Sequence, residues 1–189
     1  MRVGVFCGSR EAPDERYRTA AVELGRVLAE RRIDVVYGGS VRGLMGIVAN
    51  AALHAGGSVI GVMPAFLVER EKAHPALTDL RIVTSLSERK SLMLDLCDAF
   101  IVLPGGFGTL DEMFEVLTTA QVGLHAKPCV IVNIGQFFQH LIGFLDHAAE
   151  QGFVHRQHRM LMLEAQSVGA AVETACAAVT GRRHGRAGN

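Results

Sequence analysis

The chain has 189 residues, 49% of them hydrophobic, which is enough for one well-buried core and short for two. Nineteen Lys and Arg balance nineteen Asp and Glu, so no electrostatic footprint points to a nucleic-acid backbone or an acidic membrane as partner. A small anion bound at a local site stays open.

Four cysteines, Cys7, Cys97, Cys129 and Cys176, lack CxxC or metal-ligand spacing, and the first three sit in apolar segments. They read as reduced thiols of a cytoplasmic protein. Every apolar run is interrupted by Gly, Arg or His before it reaches bilayer length, and the first residues enter a strand pattern instead of a signal-peptide core.

In chain order, residues 3–6 form a short apolar run closed by Cys7-Gly8-Ser9-Arg10, a strand and a polar turn. Over 14–31 the apolar residues Tyr17, Ala20, Ala21, Leu24, Val27 and Leu28 recur at three and four, which predicts an amphipathic helix capped near Asp14. Residues 33–37 are the next strand. It ends in a second glycine turn, 38–43, followed by a small-residue helix over 44–55. Residues 58–63 form a third strand closed by Pro64. The charged stretch 65–78 reads as a surface excursion carrying Glu69, Glu71 and His74 near a mouth or lid.

A fourth strand over 80–84 and a helix over 87–98 come next. The fifth strand, 99–103, is apolar throughout, as expected of a strand buried on both faces. It stops at Pro104 and opens through Gly105, Gly106 and Gly108 into a helix reaching about Val122. Residues 128–133 are a sixth strand, 137–151 another helix, 155–159 a polar loop, 160–163 a short apolar segment and 167–179 an alanine-rich helix. Residues 182–189 read as a disordered basic tail, leaving 1–181 as a single domain. Alternating strands and helices predict an α/β, Rossmann-like doubly wound parallel sheet with helices on both faces, and ligands outside the carboxyl ends of the strands.

Glycine turns at Gly8, Gly38 and Gly105 each follow a strand, so they should gather on one edge of the sheet. At 104–109 the backbone can approach an anion closely, and the dipole of the following helix favours negative charge. The turn lacks GxxxxGK[ST], and Asp111 stands where a dinucleotide fingerprint needs its third glycine. A monophosphate is the better fit.

Thr109-Leu110-Asp111-Glu112 also matches a capping box, in which Glu112 would only reach back to its helix cap. Against that, Glu115 and Thr118 continue a polar stripe from Glu112. Carboxylates beside an anion site call for cations, and Arg89 and Lys90 are the candidates, oddly placed for a helix N-terminus. The histidines form no metal set, His155 and His158 lacking a third ligand, and read as surface residues.

CGS at 7–9, VYGGSVRGLMG at 36–46, ERKSLM at 88–93, PGGFGTLDE at 104–112 and HAKP at 125–128 resemble the Lonely Guy type of cytokinin riboside 5'-monophosphate phosphoribohydrolases, often labelled lysine decarboxylases. The resemblance covers nearly the whole chain, and PGGxGTxxE with an upstream RK pair is highly specific. It implies cleavage of the N-glycosidic bond of an adenine-type nucleoside 5'-monophosphate, either AMP or an N6-modified relative, to free base and ribose 5-phosphate. By position it implies Arg89 and Glu112 as the catalytic pair. Gly105, Gly106, Gly108 and Thr109 would hold the phosphate, and Gly8, Ser9, Gly39, Glu71, Lys90, Met93, Glu115 and Thr118 would complete the nucleotide site. It further implies a homodimer with active sites near the subunit interface, and neither metal nor other cofactor. A rival from another class is a non-catalytic carrier of a phosphorylated cofactor such as the molybdenum cofactor; keeping both Arg89 and Glu112 favours hydrolysis. The chain departs from the family at Leu86-Ser87, where Met-His is common, at Thr119 in place of Trp, at Ser40 in place of glycine, and at Asp111 in place of glutamate.

Overall fold

The computed structural model describes residues 1–12 and 14–186. The elements in chain order are β1 (Arg2–Phe6), α1 (Glu15–Glu30), β2 (Asp34–Tyr37), α2 (Gly43–His54), β3 (Val59–Pro64), α3 (Val68–Glu71), β4 (Asp79–Val83) and α4 (Leu86–Leu96). They continue with β5 (Ala99–Val102), α5 (Phe107–Gln121), β6 (Cys129–Val132), α6 (Gln139–Glu150), α7 (Arg156–Arg159), β7 (Met162–Ala165) and α8 (Val168–Arg186).

The strands form one seven-stranded sheet in the order β4-β3-β2-β1-β5-β6-β7, with every neighbouring pair parallel. From β1 the chain winds outward through β2, β3 and β4, then returns to β5 beside β1 and winds the other way. The strand order therefore reverses between β1 and β5, the crevice where such sheets place ligands.

The apolar runs are continuous because both faces of the sheet are covered. Val3 and Val5 of β1, Ile101 of β5, and Val130 and Val132 of β6 pack with α1, α2 and α8. Phe6, Phe100, Val102 and Ile131 point to the opposite face, against Met93 of α4, Met113 and Val116 of α5, and Ile142 of α6. Phe6 and Phe100 stack there with ring centroids 5.4 Å apart.

Four expectations change. The segment 160–163 contributes to a seventh strand, β7, which pairs with β6 from Cys129↔Met162 to Val132↔Ala165; at the sheet's edge, with Leu163 half-buried and Glu164 exposed, its signal is weak. The polar stretch 155–159 is largely the helical turn α7, tied down by Arg159, whose guanidinium reaches Asp146 at 2.7 Å and Glu164 at 2.6 Å. The basic tail is not coil from 182 onward, since α8 runs to Arg186, and residues 187–189 lie outside the described residues. His74 is buried at 5% exposure, its ring bonded through Nε2 to Asn50 Oδ1 at 3.0 Å while Nδ1 accepts from Ala76 N at 3.2 Å. Among the described residues no helix is long and apolar enough to cross a membrane.

Candidate active site

Three glycine turns meet at the β1/β5 crevice, as their positions after successive strands require. Gly8 N donates to Pro104 O at 3.0 Å, and Leu44 N donates to Gly8 O at 2.9 Å, so the turns after β1, β2 and β5 are stitched edge to edge. A Cβ on Gly105 would fall 2.1 Å from Thr109 Oγ1 and 2.9 Å from Gly8 N, so only glycine permits this packing. Gly106 and Gly108 differ: a Cβ at either would meet nothing within 4 Å. Both line a cavity of about 690 Å³ that also takes in the turn 7–12, Leu44 and Met45 of α2, Glu71, Arg89 and Glu112.

Helix α5 starts at Phe107 with Gly106 as N-cap and no side-chain cap. Its first-turn N–H groups have no intrahelical acceptor, and with the helix dipole they form a place for an anion. This start also removes the capping-box reading. Thr109 is the third helical residue and Glu112 the sixth, too deep in the helix for Glu112 to reach the cap.

Glu112 instead meets Arg89. Arg89 Nη2 lies 2.7 Å from Glu112 Oε1, with the two side chains 10% and 12% exposed. Helix α4 delivers the arginine through a firm start: Ser85 Oγ accepts from Glu88 N at 3.1 Å, while the Glu88 carboxylate accepts from Thr84 N and Oγ1 at 2.7 and 2.6 Å. A cation near a helix N-terminus is disfavoured by the dipole, and here the Glu112 carboxylate answers it. Gly38 makes room for the guanidinium, since a Cβ there would sit 2.2 Å from Arg89 Nη2.

Burial pushes the Glu112 carboxyl above the ordinary carboxylate range; Arg89 and Lys90 pull it down, while Asp111 and Glu71 push it further up. The net direction is upward, so Glu112 holds a proton more readily than a surface glutamate. Arg89 Nε is buried and, among the described residues, has no hydrogen-bond partner. A buried orphan donor on a charged group is costly, and a ligand oxygen would satisfy it. Cys7 also borders the cavity, but burial and the Glu112 charge push its thiol far up, so it is no nucleophile.

Of the residues singled out in the sequence, Gly8, Ser9, Glu71, Arg89, Gly105, Gly106, Gly108, Thr109 and Glu112 share this cavity wall. Gly39, Lys90, Met93, Glu115 and Thr118 are not in the wall. Met93 is 1% exposed in the core layer beneath α4. Lys90 turns away to bridge α4 and α5, with Nζ 3.0 Å from Asp111 Oδ1 and 3.2 Å from Glu115 Oε2. Gly39 supplies a left-handed turn residue at φ 82°. Glu115 and Thr118 lie further along α5 than Glu112. Leu86, Ser87 and Thr119, where the chain departs from the family it resembles, are also outside the wall.

The wall contains residues that sequence reasoning passed over: Arg10, Leu44, Met45, Phe107, and the edge-on pair Tyr17–Phe137, with centroids 5.7 Å apart. Arg10 was legible, since it stands in the first polar turn. Tyr17 reads as core because its helical spacing is that of core. Among the described residues no group of three or more His, Cys, Asp or Glu is arranged to hold a metal ion.

The sheet and its crevice define a doubly wound α/β protein whose switch point carries a glycine turn opening a helix N-terminus beside a buried Arg–Glu pair. The family described as "Possible lysine decarboxylase" matches residues 45–175. A cytokinin riboside 5'-monophosphate phosphoribohydrolase from Rhodococcoides fascians is 43% identical over 171 residues, covering 90% of this chain and 86% of that protein. One of the same name from Arabidopsis thaliana is 43% identical over 164 residues, 87% of this chain and 76% of its own. The chain therefore belongs to the cytokinin riboside 5'-monophosphate phosphoribohydrolase family. Among solved structures, a molybdenum cofactor carrier protein from Chlamydomonas reinhardtii superposes with a TM-score of 0.72 over 95% of this chain and 98% of its own at 20% identity. The molybdenum cofactor binding protein from Rippkaea orientalis gives 0.72 over 93% and 95% at 21% identity. At that identity the likeness is one of fold.

Proposed function

We propose that this chain hydrolyses the N-glycosidic bond of an adenine-type nucleoside 5'-monophosphate, AMP or an N6-modified relative, releasing free base and ribose 5-phosphate. The observation that carries the reading is the buried Arg89–Glu112 pair, with Arg89 Nε unanswered, opening on an anion-holding glycine turn.

The 5'-phosphate sits on the first-turn amides of α5, at Gly105, Gly106, Gly108 and Thr109, with Gly8 and Ser9 closing the other side. Departure of the base leaves positive charge on the ribose ring. Glu112 stabilises that charge as a carboxylate and orients the attacking water, much as the paired carboxylates of glycosidases do. Its raised proton affinity suits it to take up the proton which water gives up and to release it to the departing base, so the hydroxyl ends on the ribose carbon and the hydrogen on the base. Arg89 holds substrate oxygen through its free Nε–H and keeps Glu112 ionised until the reaction begins. Lys90 ties α4 to α5 through Asp111 and Glu115. The active species is a homodimer in the cytoplasm, a reading supported by the family resemblance and by the free, buried thiols Cys7, Cys97 and Cys129.

A cofactor carrier of the same fold has no use for a buried acid–guanidinium pair at its ligand site, which is costly to retain without chemistry. The testing experiment is Glu112→Gln, assayed by chromatography of base released from AMP and from isopentenyladenosine monophosphate. Loss of turnover by more than a hundredfold with retained nucleotide binding is expected. Turnover near that of the unaltered protein would remove Glu112 from the reaction.

A further inference from the structure

Ser40 is a fully buried polar residue, at 0% exposure, and does not line the cavity. It stands in the turn three residues past β2, where Tyr37 Oη donates to its carbonyl at 3.2 Å. Its own hydroxyl donates to the Glu71 carbonyl at 2.9 Å and accepts from Arg42 N at 3.1 Å. The backbone around it is stitched to the same segment: Val41 N donates to Lys72 O at 3.0 Å, His74 N to Gly39 O at 2.9 Å, and Ser40 pairs with Ala73 in an antiparallel bridge.

The segment so held cannot hold itself. Helix α3 is a single turn of four residues ending at Glu71, and Lys72 follows at φ 56°, a conformation uncommon for a residue with a side chain. The Glu71 carbonyl is a helix-end acceptor without an intrahelical donor, and the Ser40 hydroxyl supplies one. Glu71 is the residue of that segment whose side chain reaches the cavity wall, and its charge is felt at Glu112.

We propose that Ser40 is a positioning residue: by holding the Glu71 carbonyl it fixes the Glu71 carboxylate in the cavity wall, where it accepts a hydrogen bond from a ribose hydroxyl of the nucleotide. This rests on the reading of the site as one for nucleoside monophosphates. An ionised carboxylate is only an acceptor, and beside the carbon under attack the ribose hydroxyls are the donors on offer. The family resemblance puts glycine at position 40, so the device belongs to this chain's own sequence.

The test is a double-mutant cycle on kcat and KM for AMP and isopentenyladenosine monophosphate, with Ser40→Ala, Ser40→Gly, Glu71→Gln and Ser40→Ala/Glu71→Gln, each with its melting temperature. A misplaced binding group costs on the order of tenfold to a hundredfold in kcat/KM. We expect a loss of that size in both Ser40 variants and in Glu71→Gln, with the double variant no worse than Glu71→Gln alone. A double variant that loses the product of the two single effects, or Ser40 variants with unaltered kcat/KM, would overturn the inference while leaving the hydrolase reading intact. If the unaltered protein released no base, the hydrolase reading would fall instead. Amide hydrogen exchange at residues 71–74 then decides whether Ser40 holds the segment: faster exchange in Ser40→Ala supports the clamp, and unchanged exchange overturns it.

Discussion

Replacing Arg89 with Met removes the cation from a pair whose side chains are 10% and 12% exposed and 2.7 Å apart. The methionine keeps the apolar stem but leaves the Glu112 carboxylate buried without its ion-pair partner, with Asp111 and Glu71 pushing its proton affinity up against the smaller pull of Lys90. Breaking one side of a buried pair costs about 3–5 kcal/mol. For a domain of this size each kcal/mol lowers Tm by about 2–4 °C, so a fall of roughly 6–20 °C is expected at pH 8. The pH dependence has a definite sign. Glu112 has a folded-state pKa raised by burial, and loss of Arg89 raises it further, so the folded protein binds the proton more tightly than the unfolded chain. Stability from this group is present below the ordinary carboxylate range and is lost as pH climbs towards the raised folded value. The deficit of Arg89→Met relative to the unaltered protein should therefore be smaller at pH 5 than at pH 8. Thermal melts of both proteins at the two pH values measure it. A deficit below about 1 kcal/mol at pH 8, the size of an exposed pair, or one larger at pH 5, would refute the picture of a buried carboxylate held ionised by Arg89.

The glycine turn and the lysine bridge give two contrasting predictions. Gly105→Ala drives a Cβ towards Thr109 and Gly8 N and should lower Tm, whereas Gly106→Ala and Gly108→Ala meet no protein atom within 4 Å and should leave Tm within a few degrees while raising KM at least tenfold; equal Tm losses in all three would deny that 106 and 108 border ligand space. Lys90→Ala breaks a bridge to Asp111 and Glu115, which are 59% and 45% exposed, so the stability loss should stay within about 1 kcal/mol and KM should change less than threefold. A tenfold rise in KM would put Lys90 in contact with substrate, as the family resemblance implies.

The doubly wound sheet was legible because its central strands carry continuous apolar runs and its turns carry glycine. Strand β7 was not, because an edge strand with Glu164 half out of the sheet lacks that continuous signal. At the site, charge named Arg89 and Lys90 together as the cations answering Glu112 and Glu115, and the family resemblance then picked out Arg89 with Glu112 as the pair. Whether Glu112 capped its helix depended on where α5 begins, and a shift of three residues in the N-cap, from Thr109 to Gly106, decides it. The role of Ser40 could not be read at all, since its partner lies thirty-one residues away across a turn that no local spacing predicts. Tyr17 was hidden for the opposite reason, because an aromatic at helical spacing looks the same whether it packs on the sheet or borders a cavity.

The most direct measurement is the identity of the products formed when the purified protein meets AMP or isopentenyladenosine monophosphate, separated by chromatography with ribose 5-phosphate and inorganic phosphate quantified. Free base and ribose 5-phosphate in equal amounts, with no phosphate released, is the predicted result. Nucleoside with inorganic phosphate, or nucleotide recovered intact from a folded protein, would contradict cleavage at the ribose.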